Sequence, residues 1–489
     1  MTVNFGSVVR VIGVLFIVLG ICMMPSLAVA VIYKESTSAV SFAVTAVPCV
    51  LAGLLITKKL KPEKIKMKAR DGYLFVTLAW LLASVIGGVP LVISGNIPNP
   101  ADAFFEMCSG FSTTGSTILT DVEALSKSML FWRSFTHWLG GMGIIVFAAA
   151  LLPSIGVSGQ MIASAETPGP TFDKLSAKYS DTAKSLYILY FGITMAQTVL
   201  LMFGGVTLYD SLVHTFGTVG TGGFSIYNDS IGHYNSAYVE WVITIFMLLC
   251  GINFNLYFRI PRGGLKSFFA DEELRFYLLM VFGSVALITI CLMTQGGYDN
   301  LSEGVRDSAF HVASVVTTTG YATMDYDTMW PTFAKMILLI LTITGACSSS
   351  TGGGVKMVRV VVALKFAKRG FSRKLHPNRV ADITLNGRGV EQTVVTNIIN
   401  FILFYILIVL AGTFIVALNG FDLVTTLSAV LTCLGNVGPG FNLVGPVLNF
   451  SIFSNFSKVI LGLIMIAGRL ELFTFFILFS PKYWNSNRV

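Results

Sequence analysis

Charged side chains are scarce in this sequence. Of its 489 residues, 12% are Asp, Glu, Lys or Arg and 54% are hydrophobic, whereas a soluble domain carries about 25% charged residues. So few polar side chains cannot cover a water-facing surface. The composition therefore excludes an ordinary soluble protein and indicates that much of the surface faces lipid.

Cysteine is also rare, and its spacing shows no pairs. The seven residues are Cys22, Cys49, Cys108, Cys250, Cys291, Cys347 and Cys433. Most stand inside apolar stretches, so the sequence indicates neither a disulfide framework nor a metal cluster. A nucleophile–base pair with recognisable spacing and a cofactor-binding loop are missing too, which argues against an enzyme.

Long apolar runs dominate instead. A helix needs about 20 apolar residues to cross a hydrocarbon core of ~30 Å. Val11–Tyr33, Val40–Thr57 and Tyr73–Ile93 reach or approach that length. The first contains Ser26–Ala30, which resembles a signal-peptide cleavage site, but the run exceeds the usual ~7–15 residues of such a peptide. We therefore expect a retained helix.

The net charge of +8 is unevenly distributed. Basic residues fill three segments: Lys58, Lys59, Lys61, Lys64, Lys66, Lys68 and Arg70; Arg259, Arg262, Lys266 and Arg275; and Lys356, Arg359, Lys365, Lys368, Arg369, Arg373, Lys374 and Arg379. All three fall on one membrane side if the N-terminus is cytoplasmic, which is the positive-inside pattern. Segments on the other side are mostly acidic, which suits either a solvated face or a negative vestibule that concentrates cations.

Four segments share a pattern in which a short semi-polar helix leads into a glycine. The glycines are Gly115, Gly223, Gly320 and Gly438, at intervals of 108, 97 and 118 residues. They follow Glu106, His214, His311 and Ala429 by nine residues each. Gly220 and Gly222 are alternative registers in the second segment, but only Gly223 keeps this offset from the histidine.

Each glycine segment stands between two apolar runs. The preceding runs are Tyr73–Ile93, Ser185–Leu208, Phe276–Thr294 and Val394–Leu418, and the following runs are Leu130–Leu152, Val239–Tyr257, Phe333–Leu364 and Phe456–Phe479. The short helices between them cannot span a membrane, so they are predicted to be re-entrant. We expect an all-α integral membrane protein with four helix–pore loop–helix repeats around a central pore, and two N-terminal helices bring the spanning total to ten.

These boundaries divide the chain into five predicted units. They are residues 1–70, with two helices and a basic loop; 71–180, the first repeat and a cytoplasmic loop; 181–272, the second; 273–389, the third; and 390–489, the fourth.

The composition of the glycine loops suits cation binding. Non-helical backbone at membrane depth must be solvated by protein or by a water-filled cavity. Rings of backbone carbonyl oxygens can replace a cation's hydration shell, and glycine allows the positive φ that turns successive carbonyls toward one axis. Four matching loops in one chain are enough to surround such an axis.

The motifs resemble those of the Trk/Ktr/HKT superfamily of potassium transporters, and within it the bacterial TrkH-type subunits, over nearly the whole chain. They are Thr113-Thr114-Gly115, Gly222-Gly223-Phe224-Ser225, Thr318-Thr319-Gly320-Tyr321, Asn436-Val437-Gly438, and Arg133 with Trp138–Gly143. The resemblance implies K⁺ at backbone carbonyls of Thr113, Thr114, Gly115, Thr221, Gly222, Gly223, Thr318, Thr319, Gly320, Asn436, Val437 and Gly438.

The resemblance carries further expectations. Glycine rather than serine at position 115 implies potassium preference, whereas the departure from Thr-Val-Gly-Tyr-Gly in every repeat implies moderate selectivity, with Rb⁺ and some Na⁺ also passing. It implies a homodimer in the bacterial inner membrane with both termini cytoplasmic. It also implies a cytosolic TrkA-like regulatory subunit that binds nucleotides. We expect membrane lipids as further partners, no nucleic acid, and no cofactor on this chain.

A run of small and polar residues interrupts the second helix of the third repeat. It extends from Gly345 to Gly354 and includes Ser348, Ser349, Ser350, Thr351, Gly352 and Gly353. Glycine costs about 1 kcal/mol per residue in a helix, so this run cannot form a stable spanning helix. The residues after Gly354 do not complete a phosphate-binding loop. The run is either a cytoplasmic loop or, as the resemblance implies, an intramembrane gate below the filter.

Arg469 lies midway along the apolar run Val459–Phe479. An arginine at that depth usually faces a cavity or a partner. Glu471 is two residues away and on a different helix face, although pairing with it or snorkelling remains an alternative. We expect Arg469 to contact carbonyls of the Gly345–Gly354 loop and to repel cations in the closed state. The expected function is potassium uptake through a channel-like pore gated by this loop. Coupled K⁺/H⁺ or K⁺/Na⁺ symport through the same pore is the alternative, because broken helices also build transporter sites.

Overall fold

The computed structural model describes residues 4–60, 69–143, 179–376 and 382–484. Several predictions concern residues outside these ranges: the charges Lys61, Lys64, Lys66, Lys68 and Arg379, the end of the run Leu130–Leu152, and the loop before residue 179.

Helices form nearly all of the regular structure in the described ranges. They are α1 (Phe5–Cys22), α2 (Met24–Ile32), α3 (Ser36–Lys59), α4 (Ala69–Ile93), α5 (Pro100–Phe111), α6 (Lys127–Gly141), α7 (Tyr179–Phe203), α8 (Leu208–Val219), α9 (Ala237–Cys250), α10 (Phe254–Tyr257), α11 (Ile260–Phe269), α12 (Glu272–Gln295), α13 (Leu301–Val316), α14 (Tyr326–Met329), α15 (Thr332–Thr344), α16 (Met357–Leu375), α17 (Gln392–Val416), α18 (Leu423–Gly435), α19 (Asn455–Arg469), α20 (Phe473–Phe476) and α21 (Pro481–Trp484). Two short strands, β1 (Thr384–Leu385) and β2 (Arg388–Gly389), pair as an antiparallel hairpin.

Six stretches in the described ranges are long and apolar enough to cross a membrane. They are Phe5–Ile32, Ser36–Lys59, Arg70–Ile93, Lys184–Phe203, Glu272–Gln295 and Gln392–Asn419. A seventh results if Asn455–Arg469 and Phe473–Phe479, which meet at a bend of 115°, are taken as one span. The all-α prediction is confirmed for the described residues, whereas the count of ten spanning helices stays a prediction.

The helices that follow the glycine loops are shorter than the apolar runs suggested. Helix α9 ends at Cys250, before Gly251, and α15 ends at Thr344, before Gly345, which has a φ of 67°. Helix α19 ends at Arg469 because Glu471 and Leu472 adopt positive φ values of 59° and 25°. Each break brings non-helical backbone into the interior.

The same order of elements occurs four times in the described ranges. A long helix, α4, α7, α12 or α17, precedes a helix of 12, 12, 16 or 13 residues, namely α5, α8, α13 or α18. Each of the four short helices has a polar N-cap whose side chain accepts a backbone N–H of the first turn: Asn99, Thr207, Asn300 and Asp422. Such caps fix where a helix begins, so local sequence defines each of these helices.

The N-terminal helices pack beside this arrangement through glycine. Helix α1 approaches α3 so closely that a Cβ on Gly20 would lie 2.9 Å from the carbonyl oxygen of Ala46, and one on Gly53 would overlap the backbone of Gly13. Small residues allow such close approach between helices in lipid. Helix α3 in turn packs on α4, which leads into the first glycine loop.

Candidate functional site

The four glycine loops share one backbone conformation. In each loop a non-glycine residue in the left-handed region stands two positions before the glycine: Thr113, Thr221, Thr318 and Asn436 have φ values of 57°, 54°, 59° and 55°. Gly115, Gly223, Gly320 and Gly438 follow with φ values of 83°, 82°, 82° and 102°. In the second loop the conformation repeats at Gly223 and not at Gly220, whose φ is −72°.

Each short helix ends in the same hydrogen bond. The N–H of the residue before the glycine donates to a carbonyl five positions earlier; the pairs are Thr114 with Ser109 at 2.9 Å, Gly222 with Gly217 at 2.8 Å, Thr319 with Ser314 at 2.8 Å, and Val437 with Thr432 at 3.0 Å. This is the Schellman ending, which requires a left-handed residue just before the donor. The negative end of each helix dipole thus lies at the start of a glycine loop, where a cation is favoured.

The four loops close into a ring. Each glycine faces the carbonyl oxygen of the residue before the next glycine: the pairs are Gly115 with Gly222, Gly223 with Thr319, Gly320 with Val437, and Gly438 with Thr114. A Cβ on any of the four glycines would come closer than 3.0 Å to that oxygen. The last pair returns to the first loop, so the backbones surround one axis and leave no room for a side chain at these positions.

An open cavity adjoins the ring. All four glycines line it, together with residues of the connections that follow them, including Thr117, Asn228, Pro439 and Pro446. Because every loop contributes to the same cavity, one side of the ring opens into this cavity.

A buried ion pair supports the first loop from behind. Glu106 of α5 is fully buried and pairs with Arg133 of α6 at 2.7 Å, an arginine that is 1% exposed. The same carboxylate accepts the Thr117 hydroxyl at 2.9 Å and the Ile118 N–H at 3.1 Å. Breaking a buried pair leaves an uncompensated charge and is strongly destabilising, so this pair fixes the chain just after Gly115.

Histidine and tyrosine side chains hold the second loop. His137 of α6 lies between the carbonyl of Gly110 at 2.8 Å and the N–H of Phe224, which donates to its Nε2 at 3.2 Å. The Tyr321 hydroxyl donates to the carbonyl of Phe224 at 3.3 Å. These bonds join the second glycine loop to residues next to the first and third, so this loop is held by neighbouring loops as well as by its own helix.

The Gly345–Gly354 loop lies against the ring on the side away from the open cavity. The N–H of Gly353 donates to the hydroxyl of Thr318 at 2.7 Å. A Cβ on Gly352 would lie 2.9 Å from the carbonyl oxygen of Thr317, and one on Gly353 would lie 2.5 Å from that of Gly435. The loop therefore packs directly beneath two of the four glycine loops and is buried inside the protein, which argues against a solvent-exposed connection.

The loop also binds the end of α9. Cys347 donates its N–H to the carbonyl of Gly251 at 3.0 Å, and the Thr351 hydroxyl donates to that of Cys250 at 3.3 Å. These two carbonyls have no helical partner because α9 ends there. The loop thus satisfies the polar groups exposed by the early end of that helix.

Arg469 connects the loop to a second helix end. Its Nη1 donates to the carbonyl of Thr351 at 2.7 Å, and its Nη2 donates to those of Gly140 and Gly141 at 2.7 and 2.8 Å. The guanidinium therefore bridges the loop and the C-terminus of α6. Glu471 forms an ion pair with Arg359 of α16, which provides that carboxylate with a cation on another element.

Comparison with known proteins identifies the family. A family model described as TrkH, cation transport protein, matches residues 37–486. The chain belongs to the TrkH family. It is 35% identical to the Trk system potassium uptake protein TrkH of Escherichia coli K12, over 98% of this chain and 99% of that protein, and 35% identical to TrkG of the same organism, over 97% of each chain. The crystal structure of the potassium transporter TrkH from Vibrio parahaemolyticus superimposes with a TM-score of 0.88 at 31% identity, covering 99% of this chain and 100% of that one.

The TrkH family is one of transport proteins rather than enzymes. Its membership and the long apolar helices make this chain an integral membrane protein. Within the described residues there is no group of three or more His, Cys, Asp or Glu side chains that could hold a metal ion, and all seven cysteines are buried free thiols.

The site residues of this TrkH-family chain come together in two layers. The twelve filter residues form the ring, and the gate residues Gly345, Ser348, Ser349, Ser350, Thr351, Gly352, Gly353 and Gly354 form the loop beneath it, with Arg469 bonded to that loop. Their roles in conduction remain predictions. The contact between Arg469 and a loop carbonyl, expected from sequence, is present in the structure.

Two basic residues assigned to a solvent-facing segment lie inside the protein. Lys356 is 3% exposed and donates to the carbonyl of Gly352, and Arg359 is 6% exposed and pairs with Glu471. The interpretation of these charges as part of a cytoplasmic basic face is wrong. Both residues closely follow the glycine-rich break and donate hydrogen bonds to backbone carbonyls there, those of Gly352 and Val355. Their position next to the break was the sequence signal for this role.

Sequence reasoning also missed Glu273 and His137. Glu273, at the start of α12, is 4% exposed and accepts hydrogen bonds from Ser348. His137 supports the second filter loop through its contact with Phe224. Both lie far along the chain from the loops they contact. Glu273 stands beside two other acidic residues and His137 in a helix that also carries Lys127 and Arg133, so the sequence did not single out either one.

Proposed function

We propose that this chain takes up potassium ions through a channel-like, moderately selective pore. The observation that carries the proposal is the closed ring in which each glycine faces the carbonyl of the next loop. Four loops with one conformation supply backbone oxygens around a single axis, and such rings replace the hydration shell of a cation. Relatives named as Trk system potassium uptake proteins support K⁺ as the permeant ion.

The ring is short, which supports moderate selectivity. Each loop supplies a single left-handed residue, one following residue and one glycine before the chain leaves the axis. Ser116 further donates its hydroxyl to the carbonyl of Gly438 at 3.0 Å, so that oxygen is shared between the protein and any ion. Rb⁺ should therefore pass with K⁺, and Na⁺ to a smaller extent.

We propose that the Gly345–Gly354 loop is the gate of this pore. It lies under Thr318 and Gly435, and Arg469 holds it to the end of α6. A guanidinium beside the ion path repels cations, and the loop is not part of a helix, so separate hydrogen bonds hold it in place and can break one by one. Conduction then requires the loop and Arg469 to separate.

We also propose that a cytosolic nucleotide-binding subunit controls this gate and that the chain forms a homodimer in a bacterial inner membrane with both termini cytoplasmic. The name that the relatives share, Trk system, supports an assembly of several components. The end of α16 offers exposed Lys368, Arg373 and Lys374, which suit an acidic partner surface or anionic lipid headgroups. Arg262 belongs to the second basic segment of the sequence, and its side chain is not among those that the structure describes.

The filter is tested by ion flux in proteoliposomes. Uptake of Rb⁺, K⁺ and Na⁺ should be compared for wild type and Gly115→Ser, because a Cβ at Gly115 would overlap the carbonyl of Gly222. The Rb⁺/Na⁺ flux ratio should fall by about tenfold, roughly 1.4 kcal/mol. Gly95→Ser is the matched control, since Gly95 has a φ of 76° but a Cβ there would meet no atom within 4 Å. Equal selectivity in all three proteins would reject Gly115 as a filter residue.

The gate is tested with Arg469→Ala and with a variant lacking residues 346–353. Both should raise Rb⁺ flux in the absence of any partner, while the Rb⁺/Na⁺ ratio stays unchanged because the ring is intact. Unchanged or lower flux in both variants, with normal insertion in the membrane, would reject the gate and leave the filter proposal standing.

Ion-coupled symport is the second candidate function, and the bend of 115° between Asn455–Arg469 and Phe473–Phe479 favours it, because broken helices also build transporter sites. Current reversal separates the two candidates. A channel reverses at the potassium Nernst potential whatever the Na⁺ and pH gradients, whereas a symporter shifts with the gradient of the coupled ion.

A further inference from the structure

Glu273 is a buried carboxylate in the first turn of α12. The helix begins at Glu272, with Asp271 as its N-cap accepting the Leu274 N–H at 3.1 Å. Glu273 is 4% exposed. A buried carboxylate is costly unless hydrogen bonds compensate for the lost hydration. The hydrogen-bond partners of Glu273 therefore show which parts of the structure it stabilises.

The partners of Glu273 lie on both sides of the interrupted helix. One carboxylate oxygen accepts the N–H of Ser348 at 2.6 Å and that of Val358 at 3.1 Å, and the other accepts the Ser348 hydroxyl at 2.7 Å. Ser348 belongs to the Gly345–Gly354 loop, and Val358 is in the first turn of α16. One side chain therefore joins the loop to the helix that follows it, and the charge strengthens each bond.

The two residues before Glu273 bind an exposed hairpin. Glu272 donates its N–H to Oδ1 of Asn386 at 2.7 Å and accepts the Asn386 N–H at 3.2 Å, and Asp271 accepts from Asn386 Nδ2 at 2.9 Å. Asn386 and Gly387 form the turn between β1 and β2, with φ values of 51° and 75°. Asn-Gly favours this tight turn, so the hairpin presents Asn386 in a fixed orientation.

The acidic triplet 271–273 thus stands between the hairpin and the loop. Lys365 of α16 pairs with Glu272 and also donates to the carbonyl of Thr384 at 2.6 Å. The hairpin, the first turn of α12 and the start of α16 form one hydrogen-bonded unit. A movement of the exposed hairpin that keeps these bonds therefore displaces the first turn of α12, and Glu273 with it.

We propose that Glu273 is a positioning residue that holds the Gly345–Gly354 loop in its closed place and links it, through Asp271 and Glu272, to the hairpin Thr384–Gly389. The proposal rests on the assignment of this loop as the gate. Through this link, a force on the exposed hairpin would reach the ion path without any contact with the four glycine loops.

The test is Rb⁺ uptake into proteoliposomes containing the full chain without any partner. Glu273→Gln retains the size of the side chain but replaces one acceptor with a donor that faces backbone N–H groups. Flux should rise about tenfold, as expected from the loss of charge-assisted hydrogen bonds, with an unchanged Rb⁺/Na⁺ ratio. Glu391→Gln is the matched control, an exposed carboxylate at the N-cap of spanning helix α17, and should leave flux unchanged.

Non-additivity separates a link to the gate from general loosening of the fold. In a variant lacking residues 346–353, Glu273→Gln should add no further flux, because Ser348, its partner in the loop, is gone and only Val358 remains. An equal increase in both backgrounds would overturn the proposal. Unchanged flux in Glu273→Gln, with raised flux in the loop deletion, would overturn it while leaving the gate in place; no increase in either would reject the gate itself.

Two milder variants keep the proposal testable if Glu273→Gln fails to fold. Ser348→Ala removes one of the three donors and should raise flux about threefold. Asn386→Ala, on the exposed hairpin, should raise it about twofold. Wild-type flux in Ser348→Ala would overturn the role of Glu273, and wild-type flux in Asn386→Ala would overturn the link to the hairpin.

Discussion

The ring of four glycine loops and the Gly345–Gly354 loop beneath it are in contact but are held by different interactions. Each filter loop has its own capped helix, its own Schellman ending and the same positive φ values. The loop beneath is held by side chains from other elements, namely Thr318, Arg469 and Glu273, and by backbone hydrogen bonds to the end of α9.

From this difference we expect the ring to stay rigid and the loop beneath it to be able to move. Local backbone bonds break only when a helix end unfolds, so the ring keeps its geometry while its surroundings change. The lower loop is held by separate hydrogen bonds to side chains and to the end of α9, each contributing about 0.5–3 kcal/mol, so it can move without unfolding a helix. Substitutions in the ring should therefore damage folding or permeation, whereas substitutions around the loop should increase flux.

Arg133→Met should produce the largest effect, which is a loss of thermal stability. It leaves Glu106 buried without its cation behind the first filter loop, which costs about 3–5 kcal/mol. Thermal unfolding in detergent would show a clearly lowered midpoint. Lys335→Met is the control, because its pair with Asp327 is partly exposed, the lysine being 28% exposed, and such pairs contribute about 0–1 kcal/mol. Similar midpoints for the two variants would show that the ion pair does not support the ring.

Gly320→Ala should reduce Rb⁺ flux about 100-fold, roughly 2.7 kcal/mol in rate. Its Cβ would overlap the carbonyl of Val437 while the residue keeps a φ of 82°. Gly297→Ala imposes a similar backbone cost, since its φ is 72°, but meets no atom within 4 Å, and should change flux less than about twofold. If both variants lose flux equally, backbone strain and not ring closure sets the requirement for glycine.

Thr318→Val should have the smallest effect and the opposite sign. It keeps the branched shape but removes the hydroxyl that accepts the N–H of Gly353, so flux should rise about threefold. Thr221→Val is the equivalent change in the second loop, where the hydroxyl donates to Gly220 of the same loop, and should not raise flux. A rise in both would mean that the two layers are not joined through Thr318.

The conformation of the four glycine loops was largely predictable because the residues that determine it are local. The offset of nine residues to each glycine, the polar caps and the short helices all lie within about 20 residues of one another, as for any helix with defined ends. The offset also selected Gly223 over Gly220, which agrees with where the positive φ occurs. A repeated local pattern can be read from one sequence because its four copies check one another.

The contacts of the Gly345–Gly354 loop were less predictable because the residues in contact are distant in sequence. The bond from Ser348 to Glu273 spans 75 positions, and those from Arg469 to Gly140 and Gly141 span 329 and 328. The sequence indicated that Arg469 needs carbonyl partners, but it did not indicate that two of these carbonyls lie at the end of α6. Lys356 was misplaced for the same reason, since its burial depends on how a broken helix folds back.

Asn436 shows what is gained by building a ring from one polypeptide. It occupies the position that threonine holds in the other three loops, and its Nδ2 donates both to the hydroxyl of Thr114 and to the carbonyl of Met465 in α19, each at 2.9 Å. In an assembly of four identical subunits, any such change would appear in every quadrant. Here one quadrant can be altered alone, so a single codon can join the ring to the helix that carries Arg469 while the other three remain as they were.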